Sequence, residues 1–194
     1  MNVLALDQNA LEALNGFFID RSSIVDSIFK FLAVYFIYLL PIILILMWFL
    51  ITKKERRIAL VMSMVSLVIS VFGINKLISQ LWFRPRPDLS IVGLKEVFFH
   101  RPDFSFPSDH ASALFAITFT LYLFGYKKAA NWFLIYSILI TFARVVIAVH
   151  YPLDIVGGAA VALTGSLIVY WLKEPLEKFI YNPVVLVLKK IRLA

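Results

Sequence analysis

Five uncharged, strongly apolar runs divide the chain: Phe31 to Thr52, Ile58 to Asn75, Ala111 to Tyr126, Ala129 to Ala143 and Ile155 to Leu172. At about 1.5 Å of rise per helical residue, each is close to the length that crosses a hydrocarbon layer of ~30 Å. The second run continues through Lys76 to Phe83 and the fourth through Arg144 to Val149, which makes up their shortfall. The pattern predicts an all-α fold, a polytopic membrane helix bundle of five to six transmembrane helices with interfacial helices beside it. Residues 1–22 are read as one interfacial helix, because Leu4, Leu11, Leu14, Phe17 and Phe18 recur at helical spacing while Asp7 and Glu12 interrupt them. Residues 183–194 are read as an interfacial tail, where Val and Leu mix with Lys189, Lys190 and Arg192 after the breaks at Pro175 and Pro183. Residues 84–108 form a polar loop between the second and third spans, and the whole chain reads as a single membrane domain without internal repeats.

Composition agrees with a lipid solvent. The chain is 61% hydrophobic and only 16% charged, with a mean hydropathy of +0.87, outside the range of soluble domains. It has no Cys, which excludes disulfide scaffolds and thiolate metal sites. The net charge of +7 assigns to loop cations at a membrane surface and not to nucleic acid, since no basic stretch is interleaved with stacking aromatics in a soluble segment. The N-terminus lacks a positive region ahead of an apolar core and a small-residue cleavage site, so it is not read as a cleaved signal. Lys53, Lys54, Arg56 and Arg57 join the first two spans, and Lys127 and Lys128 join the third and fourth, so both loops are expected in the cytoplasm. Alternation then places the loop 84–108 and the turn from His150 to Asp154 on the extracytoplasmic side of the cell membrane.

All the chemically unusual residues collect on that outer face. Lys76, Arg84 and Arg86 close the second span, and the Pro after each arginine holds the backbone extended, which favours an aimed clamp for an anion over snorkelling cations. The third span opens with Pro107, Ser108, Asp109 and His110. Ser108 or Asp109 can cap this helix, whose free N–H groups suit phosphate oxygens. At the end of the fourth span, Arg144 lies six residues before His150, inside the outer leaflet, where an unpartnered cation costs several kcal/mol. His150 and Asp154 are four apart, so the carboxylate can hold one ring proton and leave the other nitrogen free to attack. Two His with Asp109 and Asp154 could instead ligate a divalent metal, but the surrounding cations oppose one and favour an anion, so no metal or other cofactor is expected. No P-loop or Gly-x-Gly-x-x-Gly pattern brings a nucleotide.

The three pieces, in this order, resemble the type 2 phosphatidic acid phosphatase superfamily, whose signature is Lys-x6-Arg-Pro, Pro-Ser-Gly-His and Ser-Arg-x5-His-x3-Asp. The second piece reads Pro107-Ser108-Asp109-His110, with Asp109 for Gly, and the third runs from Ala143-Arg144 to His150 and Asp154, with Ala143 for Ser. Seven residues before Arg86 stands Ser79, and before Arg84 stands Leu77, so the family's Lys has no counterpart in register; Lys76 or Arg84 is expected to supply its charge. The short chain is similar to bacterial undecaprenyl-diphosphate phosphatases of the bacitracin-resistance type. That resemblance implies hydrolysis of a polyprenyl diphosphate to the monophosphate at the outer face, recycling a cell-wall lipid carrier. It also implies His150 as a nucleophile that becomes a phosphohistidine, Asp154 as its orienter, His110 as the acid for the leaving phosphate, and Arg86, Ser108 and Arg144 as phosphoryl ligands. Partners are then the lipid diphosphate and membrane lipids, with the oligomeric state open. Two alternatives stand beside it: a phosphatidate or phosphatidylglycerophosphate phosphatase, and a non-catalytic anionic-lipid transporter.

Overall fold

The computed structural model describes residues 3–19, 21–87 and 104–191, and its regular elements there are all helical. They are α1 (Val3–Phe18), α2 (Ser23–Leu50), α3 (Lys54–Leu81), α4 (Asp109–Leu123), α5 (Lys127–Val146), α6 (Pro152–Trp171) and α7 (Asn182–Lys190), with helical turns Lys173–Leu176 and Glu177–Tyr181 leading into α7. Among the described residues, α2, α3, α5 and α6 are long and apolar enough to cross a membrane. The chain is thus a multi-pass membrane protein. The expected third span, α4, has 15 residues and a length of about 22 Å, short of that criterion, and most of it is buried at the centre of the bundle.

Two of the long helices change pitch where the site needs it. In α2 a π-helical segment, Phe31–Tyr35, precedes Pro41, whose ring has no N–H to give to Ile37. The Ala33 carbonyl within that segment receives Arg144 Nη1 at 3.0 Å. In α3 a second π-helical segment, Ile69–Asn75, delivers the buried Asn75 side chain to the Pro107 carbonyl, 3.2 Å away, and to the Asp109 carboxylate.

Small residues let α3, α4 and α6 approach closely, the usual means of helix association where lipid offers no hydrophobic drive. A polar seam runs through their contact: Thr120 Oγ1 and Ser66 Oγ each lie 3.1 Å from Ser166 Oγ, which donates to the Ala116 carbonyl. Gly158 is required at the site end. A Cβ there would stand 2.6 Å from that of Ala111 and 2.7 Å from the Ser108 carbonyl. This missing side chain lets the second turn of α6 lie against the start of α4.

The ends of α4 and α5 show how the bundle reverses. After α4, Gly125 with φ 83° takes the left-handed position, and Tyr126 N–H returns to the Leu121 carbonyl. After α5 the same motif is built on Ala148 with φ 57°, where Val149 N–H bonds the Arg144 carbonyl and Ala148 N–H that of Val145. An Ala in this region costs about 1 kcal/mol relative to Gly, and its methyl group is fully buried beside Leu11 of α1 and Val145. The turn throws His150 back into the bundle. The cations of 53–57 and 127–128 begin α3 and α5, so they lie at the opposite end from His150, which follows the last turn of α5.

The segment expected to be an interfacial N-terminal helix is helical from Val3 to Phe18, and its buried positions are Asp7, Leu11 and Asn15. Asp7 is therefore part of its packed face and not an interruption of it. Most of the expected polar loop, 88–103, lies outside the described residues. Its two flanks are joined, with Pro85 and Phe104 paired in a short antiparallel bridge and Ser105 N–H donating to the Arg84 carbonyl at 2.8 Å.

Candidate active site

The site begins with the turn between α5 and α6. Pro152 sits in the first helical position of α6, where its missing N–H is harmless, so it starts this helix and does not break it. Asp154 then lies in the first turn, and its Oδ2 accepts the Tyr151 N–H at 2.8 Å. The His150 ring is 2% exposed and Asp154 is fully buried. His150 Nδ1 lies 3.0 Å from the Ser105 carbonyl oxygen and 3.5 Å from Asp154 Oδ2. A carbonyl can only accept, so Nδ1 carries the proton and Nε2 keeps its lone pair.

Around Nε2 the neighbours are donors. Arg86 Nη1 is 3.2 Å away and also donates to the Val149 carbonyl at 2.9 Å. Arg144 Nη2 is 3.4 Å from the same nitrogen, and its Nη1 lies 3.3 Å from Nε2 of His110. Arg144 is itself 8% exposed. Two guanidinium groups and a second imidazole thus converge on the face from which His150 Nε2 can attack. Such fixed positive charge is suited to the equatorial oxygens of a phosphoryl group.

Ser108 caps α4 through its side chain, and its N–H donates to the Asp154 carbonyl at 3.0 Å, tying the start of α4 to the first turn of α6. His110 follows in the first turn of α4 and is half-buried. Asp109, in place of the expected Gly, is exposed and accepts from Asn75.

Arg84 is placed differently from Arg86. One terminal nitrogen is 2.7 Å from Asp154 Oδ1 and the other 2.6 Å from Asp7 Oδ2, with the guanidinium 4.0 Å over the Tyr151 ring. It fixes the carboxylate behind His150. Lys76 is exposed, while Ser79, at the register of the motif Lys, is buried and donates to the Lys76 carbonyl at 2.9 Å.

Three residues that the sequence pattern does not single out are built into the site: Asp7, Ser105 and Asn75. Ser105 is fully buried, and it offers its carbonyl to His150 and its hydroxyl to Asp154 Oδ2 at 2.5 Å. Its position two residues before Pro107 in Phe104-Ser105-Phe106-Pro107 is the one available signal. Among the described residues no group of three or more His, Cys, Asp or Glu could hold a metal ion.

Comparison with known proteins finds relatives over most of the chain. The model of the PAP2 superfamily matches residues 57–177, a span that holds every one of these residues except Asp7. Undecaprenyl-diphosphatase BcrC of Bacillus subtilis is 30% identical over 160 residues, 82% of this chain and 81% of that protein. A Bacillus licheniformis protein named bacitracin transport permease BcrC is also 30% identical, over 82% of this chain and 77% of its own. Among solved structures, Aquifex aeolicus LpxE superposes with a TM-score of 0.63 at 22% identity, covering 84% of this chain and 94% of that one, a likeness of fold.

Proposed function

The chain belongs to the PAP2 superfamily, and from that premise we propose that it hydrolyses a polyprenyl diphosphate, the undecaprenyl carrier, to the monophosphate and inorganic phosphate. The single observation that carries the reading is the polarity of His150, whose Nδ1 faces a carbonyl while Nε2 faces two guanidinium groups. Nε2 attacks the terminal phosphorus, and the bond from that phosphorus to the bridging oxygen breaks. His110 donates a proton to the departing monophosphate, and the Arg84-anchored Asp154 holds the imidazolium that forms. Water, deprotonated by His110, then attacks the phosphohistidine, releasing phosphate and restoring His150. Arg86, Arg144 and the start of α4 at Ser108 hold the phosphoryl oxygens throughout.

The name of the Bacillus subtilis relative supports the diphosphate as substrate. The cations of 53–57 and 127–128, at the end of the bundle away from His150, support an extracytoplasmic site, five membrane crossings and a role in recycling a carrier released there. Bacitracin resistance follows as an expectation, since less diphosphate would remain to be bound. Phosphatidate and phosphatidylglycerophosphate are alternative substrates of the same chemistry. A transport reading has support in the name of the Bacillus licheniformis relative, but a carrier site needs cations and has no use for a nucleophile with its own orienting carboxylate. The test is phosphate release from purified protein in detergent, offered undecaprenyl diphosphate, phosphatidate and phosphatidylglycerophosphate in parallel. A rate on the diphosphate at least tenfold above the others supports the assignment. Preference for either monoester shifts the substrate, and no release from any of them removes the phosphatase reading.

A further inference from the structure

Helix α1 precedes the residues that carry the family match, yet it sends a carboxylate to the site. Asp7 is 4% exposed, and both of its oxygens are used: Oδ2 meets Arg84 at 2.6 Å, and Oδ1 accepts the Leu153 N–H at 2.9 Å. Arg84 passes the contact on to Asp154 Oδ1, and the other oxygen of Asp154 meets Ser105 and the Tyr151 N–H and faces His150. Two turns along α1, Asn15 is 1% exposed and donates to the Val146 carbonyl at 2.9 Å. The helix therefore grips the His150 turn from both sides, at Val146 before it and Leu153 after it.

We propose that Asp7 is a positioning residue, acting through Arg84 and the Leu153 N–H to fix Asp154 behind His150, so that α1 is a working part of the catalytic site. The inference rests on the phosphatase reading above. The division of Arg84 between two carboxylates is its basis. With Asp7 neutral, one half of the guanidinium loses its anion, and the fork is free to engage Asp154 with both nitrogens. Asp154 would then turn from Ser105 and the Tyr151 N–H, and the imidazole would lose its fixed backing. A packing role for α1 alone predicts something else, namely weaker folding with normal turnover in the molecules that stay folded.

Asp7→Asn keeps the volume and an oxygen for Leu153, and removes only the charge. In the purified full chain it is expected to lower kcat roughly 10- to 100-fold while KM stays within about threefold. Asp7→Glu recovers part of the loss. Because Asp7 acts through Arg84, adding Asp7→Asn to Arg84→Gln produces little further loss. Asn15→Leu, which cuts the other hydrogen bond of α1, lowers thermal stability without that loss of kcat. A kcat for Asp7→Asn within twofold of wild type, or losses that multiply in the double variant, overturns the proposal.

A second readout does not depend on turnover. Carbon-13 shifts of the His150 ring report which nitrogen carries the proton, and Asp7→Asn should convert a single Nδ1–H form into a mixture. An unchanged spectrum overturns the proposal. If the wild type releases no phosphate from any substrate, the phosphatase reading fails, and the histidine spectrum alone decides the part played by Asp7.

Discussion

The backbone carbonyl oxygen of Ser105 lies 3.0 Å from His150 Nδ1, closer than Asp154 Oδ2 at 3.5 Å. The proton on the His150 ring is thus directed by the main chain of the segment leading into Pro107, and Asp154 supports that segment through the Ser105 hydroxyl. Ser105→Ala removes the hydroxyl and keeps the carbonyl. A neutral hydrogen bond of this kind contributes about 1 kcal/mol, or about fivefold in rate. Asp154→Ala leaves the half-buried Arg84 without its partner in the site and is expected to cost more than about 10²-fold. Steady-state kcat of the two variants, measured side by side, checks the order; a Ser105→Ala loss equal to that of Asp154→Ala would show that the carbonyl does not hold the ring alone.

Gly158 separates α6 from the start of α4 by the width of a missing side chain. Gly158→Ala puts a methyl group 2.7 Å from the Ser108 carbonyl, which must shift the turn that carries Ser108 and His110. Overpacking of this kind costs about 1–3 kcal/mol. The expected result is a lower unfolding temperature in detergent together with at least a tenfold fall in kcat/KM. Gly73, around which a Cβ meets nothing within 4 Å, serves as the control and should tolerate Ala. Equal behaviour of the two variants would remove the close approach from the account.

Removal of metal ions should leave activity largely intact. Arg86 and Arg144 lie within 3.4 Å of His150 Nε2 and provide the positive charge that a bound Mg²⁺ would otherwise supply. Assay in excess EDTA is expected to retain more than half of the rate. Complete loss, restored by a divalent ion, would move the chemistry to a metal-dependent class.

Sidedness follows from the separation of the loop cations from the site. In this Cys-free chain, a Cys at the exposed Arg21 should react with a membrane-impermeant thiol reagent on intact cells, and a Cys at Lys127 only after permeabilisation. The reverse pattern would put the site in the cytoplasm and end the proposed role in recycling an externally released carrier.

The helices and the His150 cluster were legible because each rests on a local pattern. Uncharged runs mark the spans, although the third run extends to Tyr126 and α4 ends at Leu123. The rest depends on contacts between distant residues. Asp7 interrupts an apolar face when α1 is read alone, and its partner Arg84 comes 77 residues later. Arg84 and Arg86 are alike in sequence, each followed by Pro, and only the fold shows that one meets two carboxylates while the other meets His150. Nothing in Ile147-Ala148-Val149 signals a left-handed residue, since that position usually takes Gly; burial against Leu11 holds the Ala there. Ser105 acts partly through its main chain, which leaves no trace in residue type.

The central claim is that His150 Nε2 takes the phosphoryl group. Undecaprenyl diphosphate carrying ³²P in its terminal phosphate, mixed with purified protein and quenched in alkali within milliseconds, should leave label on the chain. That label should be stable to base, labile to acid, and located by peptide mapping on His150; His150→Ala should take up none and lose turnover by about 10³-fold or more. Turnover of the wild type with no trappable label, together with substantial activity in folded His150→Ala, would contradict the account.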